Sequence, residues 1–281
     1  MTSLKELQEH TNPPDQLLQE VKRKASNIAL KSKFITADKV PPWERISTGC
    51  SNIDLLLHGG VPINGITEIF GCSGVGKTQL ALQLALMVQL PENLGGKEKD
   101  ALYICTEDIF PAKRFHKLAT HFKTKYNLYN FDFESRVYLE HAADFEQLRR
   151  CISIRLPQLL HLKNVGLIII DSIAGIFRSE NNDICYNNRS QDIGSISTTL
   201  HNLCNKYGVG IVCINQVSEN LITEKTEPCL GLAWGNNVTC RFSLSRYNDS
   251  TVREFEVIFA PDLPNYKCTF TIAEEGVIAI D

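Results

Sequence analysis

The sequence predicts an α/β protein with a mostly parallel central sheet flanked by helices, and three observations lead there. Residues Gly71-Cys72-Ser73-Gly74-Val75-Gly76-Lys77-Thr78 fit the phosphate-binding loop pattern, with glycines at the required spacing followed by Lys and Thr. The run Gly166-Leu167-Ile168-Ile169-Ile170-Asp171 is so continuously apolar that it reads as a central strand covered on both faces. From Ile46 to Asn215 β-prone and helix-forming segments alternate, whereas the last third reads as strands without helices between them, a β-rich C-terminal extension.

Taken in order, residues 1–33 form a polar tail and an amphipathic helix. The tail carries Pro13-Pro14, and from Asp15 to about Lys33 the residues Leu17, Leu18, Val21, Ala25 and Ile28 recur near helical spacing. A linker is expected over 34–44, stopped by Pro41-Pro42, and the core over 45–281. A short helix at Asn52–His58 ends in Gly59-Gly60, and Ile66–Phe70 is the strand that enters the phosphate loop. Helices are expected at 78–90, 112–124, 143–162 and 190–207, and strands at Ala101–Thr106, near Arg136–Glu140, and at Val209–Asn215. Two stretches, about 174–189 and 217–232, lack periodicity and read as long loops, the kind that carry function. The final strands are Val238–Ser245, Val252–Ala260 and Cys268–Ala273.

Composition narrows the function classes. With 281 residues the chain is long enough for one large domain with an appendage. A formal net charge of −3 gives no global pull toward nucleic acid, so such binding has to come from a local patch or a partner. The ten cysteines contain no C-x-x-C pair, which argues for buried free thiols rather than a zinc or disulfide framework. No secretory signal and no run of membrane-spanning length is present, so a soluble intracellular protein is expected, with no membrane partner. Lys22-Arg23-Lys24 is too short for a nuclear signal and reads as a solvated helix face.

The chemistry centres on the loop. A strand, a glycine turn and a helix N-terminus aim backbone N–H groups and the positive helix end at one anion. In that frame Lys77 reaches the β/γ-phosphates of a nucleotide and the Thr78 hydroxyl holds Mg²⁺. Asp171, at the carboxyl end of the most apolar strand, is placed to hold the metal's water shell. Glu107, at the end of its strand, is placed to orient water for attack on the γ-phosphate; Asp108 stays open as an alternative base or as an N-cap. Gln216 ends another strand, where a neutral amide can sense the γ-phosphate. In the two loops Phe177, Arg178, Tyr186 and Arg189 can meet a nucleic-acid strand, but Glu180, Asp183, Glu219, Glu224 and Glu227 oppose autonomous tight binding.

Together the loop, Tyr103–Asp108, Leu167–Ser172 and Ile214–Val217 resemble the RecA-type P-loop ATPase core of eukaryotic recombinases, over about 45–281. The match is to the paralogue group rather than to the strand-exchange recombinase. The resemblance implies ATP and Mg²⁺ as cofactors, with residues 71–78 on the phosphates, Lys77, Glu107 and Gln216 catalytic, and Thr78 and Asp171 at the metal. It implies that Arg114 stacks on adenine, that Arg178 and Arg189 lie in DNA-facing loops, and that Pro261, Asp262 and Pro264 cap the nucleotide of a neighbouring protomer. Phe34-Ile35-Thr36-Ala37 resembles a Phe-x-x-Ala docking tether, in which Phe34 and Ala37 engage a partner and a buried Phe is worth about 1.5–3 kcal/mol. The alternatives are that Phe34 folds onto its own core, or that Ile28-Ala29-Leu30 is the anchor.

The implied function is homologous-recombination repair of double-strand breaks in the nucleus. The implied partners are another recombinase paralogue, the strand-exchange recombinase as a further candidate, and single-stranded or branched DNA reached through the complex. Two activities fit: slow DNA-dependent ATP hydrolysis, or an assembly role in which ATP only cements an interface. Three departures from the recombinase pattern favour the second. The helical domain ahead of the core is expected to be missing, Asn236 stands where recombinases often carry a histidine, and the second loop is short and acidic.

Overall fold

The computed structural model describes residues 19–25, 36–177, 186–219, 226–247 and 251–280. The chain divides into two units, Met1–Pro42 and Trp43–Asp281. In the first, residues 19–25 are helical, with Lys24 and Glu20 paired one turn apart at 2.9 Å, and Ala37–Lys39 forms an exposed 3-10 turn. The remainder of the expected 15–33 helix, Ile28-Ala29-Leu30 and Phe34 lie outside the described residues. The second unit starts two residues ahead of the expected core boundary, because Trp43 packs on the core and Glu44 pairs with Lys97.

The second unit is built on a nine-stranded sheet. A small ribbon precedes it, β1 (Arg45–Ile46) against β2 (Val61–Pro62), with the helix Ser51–Leu56 between them. The sheet strands in chain order are β3 (Ile66–Phe70), β4 (Asp100–Cys105), β5 (Val137–His141), β6 (Val165–Asp171), β7 (Gly210–Asn215), β10 (Cys240–Arg246), β11 (Arg253–Phe259), β12 (Lys267–Ala273) and β13 (Gly276–Ala279). Their spatial order is β13-β12-β11-β10-β3-β7-β6-β4-β5. From β10 to β5 the neighbours run parallel, and β11, β12 and β13 extend the sheet antiparallel. The expected β-rich extension is therefore part of the same sheet, lengthened by β13, which the sequence reading left out.

Burial on both faces explains the apolar strands. Along β6, Leu167 and Ile169 point into one core cluster with the helices Lys77–Met87 and Ala112–Lys125. Ile168 and Ile170 point into the other, with Leu148, Leu156, Ile196 and Leu200 from the opposite helical layer. A side-chain period of two leaves no solvated face for a polar residue until the strand ends at Asp171.

Three elements differ from expectation for physical reasons. The helix read as continuous over 143–162 is interrupted: Phe145–Arg150 and Leu156–Leu162 are α-helical, and Cys151–Arg155 is a π turn. Pro157 has no N–H to return to Ser153, so the ladder shifts register just ahead of it. The expected 217–232 loop contains a hairpin, β8 (Val217–Glu219) against β9 (Thr226–Pro228), and leads into the helical turn Gly231–Gly235. The expected 174–189 loop is also shortened: Gly175–Phe177 is a 3-10 turn and the helix Tyr186–Tyr207 begins inside it. No described helix is long and apolar enough to cross a membrane.

A buried carboxylate ties these pieces together. Glu68, on the phosphate strand β3, is 0% exposed. Its Oε1 accepts hydrogen bonds from Asn215 Nδ2 at 2.6 Å and Trp234 Nε1 at 3.0 Å, and its Oε2 from Arg241 Nε. Removing one member of a buried pair strands the other charge, so Glu68→Ala should lower unfolding free energy by about 3–5 kcal/mol. Denaturant titration of the full chain measures it, and a loss below about 1 kcal/mol would show that Arg241 finds water instead.

Candidate nucleotide site

The phosphate loop sits where β3 gives way to the helix Lys77–Met87, at the carboxyl edge of the parallel strands. Two of its glycines are required by space. A Cβ on Gly71 would lie 2.2 Å from Leu244 O, and one on Gly76, at φ +109°, would lie 2.3 Å from Ile272 Cδ1. The loop therefore lies close against β10 and β12. Lys77 is 9% exposed, and its Nζ donates to Gly71 O and Cys72 O, each at 2.7 Å. Burial pulls this ammonium below the usual lysine range, while the Asp171 charge works the other way.

Beside it lies the carboxylate cluster. Asp171 Oδ2 accepts from Thr78 Oγ1 at 2.8 Å and from Tyr103 OH at 2.6 Å. Burial raises the Asp171 carboxyl above its ordinary value despite these donors and Lys77. Glu107 Oε2 accepts from Ser172 Oγ at 2.9 Å and from Gln216 Nε2 at 2.5 Å. Thr106 braces the same corner, accepting from Ser172 N at 2.8 Å and donating to Ser172 O at 2.6 Å. Asn215 holds Gln216 from behind: its Oδ1 accepts from Gln216 N at 2.8 Å while its amide donates to Glu68. Asp108 lines the same cavity; the following helix begins at Ala112 after Pro111 without a side-chain cap, so Asp108 is not its N-cap.

These groups enclose a cavity of about 400 Å³ lined by Ser73, Gly74, Gly76, Lys77, Thr78, Glu107, Asp171 and Gln216, with Arg253 and Ile272 beside Gly76. The residues present fit a Mg²⁺-nucleotide. A Cβ at Gly71 or Gly76 would push the loop off β10 or β12, a buried ammonium lies at the base of the cavity, and the hydroxyl and carboxylate oxygens of Thr78 and Asp171 are the hard donors Mg²⁺ prefers. Val75 packs into the core beneath, and Cys72 is exposed on the loop.

Arg114 is clamped edge-on. Its Nε donates to Gln79 Oε1 at 2.6 Å, Nη1 to Glu274 O at 2.7 Å and Nη2 to Ala273 O at 2.8 Å. Three in-plane bonds fix the orientation of the guanidinium and leave its faces for stacking.

Other expected residues lie elsewhere. Arg189 is not in a loop: it belongs to the helix Tyr186–Tyr207 and its guanidinium sits 5.5 Å from the Phe177 ring centre. Its placement is corrected from a loop to a helix, where the cation–π contact holds it beside Phe177. Arg178 and Phe34 lie outside the described residues, and Ala37 is exposed in its 3-10 turn. Pro261, Asp262 and Pro264 are exposed in the turn after β11, with Leu263 tucked inside and Asp262 paired to Arg45 at 2.5 Å. Phe259 pairs with Arg241 at the start of β10, which in turn runs parallel to β3 from Thr67 onward. The turn therefore sits at the sheet edge opposite this chain's own phosphate loop. Asn236 is exposed at the end of the Gly231–Gly235 turn.

Tyr103, Ser172, Asn215 and Arg253 were missed as site residues. Tyr103 had a local signal, since it stands two residues before Cys105 and four before Glu107 on a strand already assigned to the site. Arg253 had none, because its strand returns to the loop from far along the chain.

An ionised Asp171 in this burial costs stability. A carboxyl whose folded value is raised favours the folded state below that value and disfavours it above. Unliganded protein should thus lose a contribution as pH rises through the carboxylate range, and Asp171→Asn should remove it. Thermal unfolding of both proteins without nucleotide from about pH 4 to about pH 7 checks this; a variant that gains nothing relative to wild type with rising pH would refute it.

Comparison with known proteins gives the same picture. The Rad51 family profile matches residues 43–280. Over 261 residues the chain is 36% identical to the DNA repair protein XRCC3 of Mus musculus, covering 83% of this chain and 75% of the relative. It is 30% identical over 309 residues to the DNA repair protein rhp57 of Schizosaccharomyces pombe, covering 93% and 83%. With the DNA repair protein RAD51 homolog 2 of Homo sapiens it shares 29% identity over 275 residues, covering 86% and 70%. The phosphate loop, the carboxylate pair and the amide at the end of β7 are thus the equipment of a chain that belongs to the Rad51 family.

Proposed function

We propose that the chain is an ATP-binding recombinase paralogue acting in homologous-recombination repair of DNA double-strand breaks, in the nucleus, as one member of a heterocomplex. The observation that carries this is the convergence of Lys77, Thr78, Asp171, Glu107 and Gln216 on one cavity above a phosphate loop. The relatives, each a DNA repair protein by name, support the cellular role.

In this reading Lys77 binds the β/γ-phosphates, Thr78 and Asp171 hold Mg²⁺, and Arg114 presents a fixed face to the adenine. Bound Mg²⁺-ATP supplies the transferable γ-phosphoryl group. Glu107 orients the attacking water and accepts its proton. Ser172 and Gln216 donate to the same Glu107 oxygen, so a shift of Gln216 changes the hydrogen bonding of that oxygen. Gln216 directly precedes the β8–β9 hairpin, and Cys229 N donates to its carbonyl at 2.8 Å, so hairpin and base are mechanically joined. DNA is reached chiefly through partners, given a net charge of −3 and an Arg189 engaged with Phe177.

A second reading, in which ATP mainly cements a partner interface, is favoured by the placement of the 261–264 turn. From the edge opposite its own loop it can cover only another subunit's nucleotide. The partners in that arrangement are a further paralogue and the strand-exchange recombinase.

Two substitutions separate the readings. Lys77→Ala should abolish stabilisation by Mg²⁺-ATP in either case. Glu107→Gln should leave binding intact and lower turnover by about 10²–10⁴-fold in the assembled complex if the chain hydrolyses ATP. A Glu107→Gln protein that restores break repair in cells while Lys77→Ala does not would establish the cementing role over the catalytic one.

A further inference from the structure

We propose that Arg253 contacts the phosphate chain of the nucleotide held by this same chain. The inference rests on the ATP reading above and adds a residue that no phosphate-loop pattern contains. Arg253 opens β11, paired across the ladder with Arg246 on β10 and with Phe270 on β12. It lines the cavity with Lys77, Thr78 and Gly76, and its Cδ lies 3.7 Å from where a Cβ on Gly76 would stand.

Its hydrogen bonding is incomplete. Nη1 donates to Thr251 O at 2.6 Å, but Nε is buried without a partner. A buried guanidinium N–H left unmade is costly, and the protein surroundings make matters worse. Burial and the neighbouring Arg246 charge both pull Arg253 below the usual arginine range. Arg246 itself reaches over the loop, its Nη2 3.5 Å from Gly74 O. Two like charges beside a phosphate loop, one of them with an unpartnered N–H, make a wall suited to an anion.

Sheet order gives that wall a purpose. Glu107 and Asp171 come from β4 and β6, on one side of β3, whereas Arg246 and Arg253 come from β10 and β11, on the other. The cavity is thus acidic toward the metal and basic away from it. A phosphate chain lying across the loop neutralises the basic wall directly and the acidic wall through Mg²⁺, which fixes the direction in which it lies.

The test uses the 281-residue chain and calorimetric titration with Mg²⁺-ATP and Mg²⁺-ADP, alongside thermal unfolding without nucleotide. Arg253→Ala should weaken both nucleotides by about tenfold or more. The unliganded midpoint should stay level or rise, because a strained charge has been removed. Arg253→Lys, which keeps the charge but loses the fork, should fall between. Affinities within about twofold of wild type, with or without a lowered unliganded midpoint, would overturn the proposal and leave Arg253 structural. Wild-type protein that binds neither nucleotide, indistinguishable from Lys77→Ala, would overturn the ATP reading and this inference with it.

Discussion

A carboxylate buried beneath the phosphate strand makes the rest of the molecule hold its shape. Glu68 sits at full burial on β3, and a charge there is tolerable only if each oxygen is satisfied. The donors come from three places: Asn215 at the end of β7, Trp234 in the turn that follows the β8–β9 hairpin, and Arg241 on β10. None of these segments can drift without unpairing a buried ion. The same Asn215 positions Gln216, and Gln216 meets Glu107, so the hub beneath the sheet is two side chains away from the expected base.

Above the sheet the nucleotide site is assembled from strand ends that are remote in sequence and adjacent in space. Parallel strands deliver their carboxyl ends to one edge, which is why Phe70, Cys105, Asp171 and Asn215 all lead into site residues. The antiparallel β11 brings its amino end to that same edge, and with it an arginine. Carboxylates arriving from one flank and guanidiniums from the other create a polarity across the loop that neither set would provide alone.

Much of this was legible in the chain itself. The phosphate loop is a local pattern with crowding at two of its glycines, Gly71 and Gly76, and Asp171 stands out because a doubly covered strand admits no polar residue before its end. Glu107 and Gln216 could be read from their positions at strand ends, though not their mutual contact, which depends on β4 and β7 flanking β6. Glu68 looked like an ordinary residue of a β-prone run, since nothing local announces that its partners lie about 150 residues or more downstream. Arg189 was misplaced because the polar stretch before it reads as loop, while the structure sets Arg189 itself in a helix with its guanidinium over Phe177. Arg253 required the register of an antiparallel return that no pattern supplies.

The turn at 261–264 and the phosphate loop occupy opposite edges of one sheet, and that placement gives the molecule a head and a tail. Contact between such faces is heterologous: it carries no two-fold axis and does not close on itself after two subunits. Left to identical copies, such a contact would run on into a ring of more than two subunits or an open row. A mixed row ends wherever a subunit presents an edge that its neighbour does not fit, so the order and number of subunits would be written in their edges rather than in any shared symmetry.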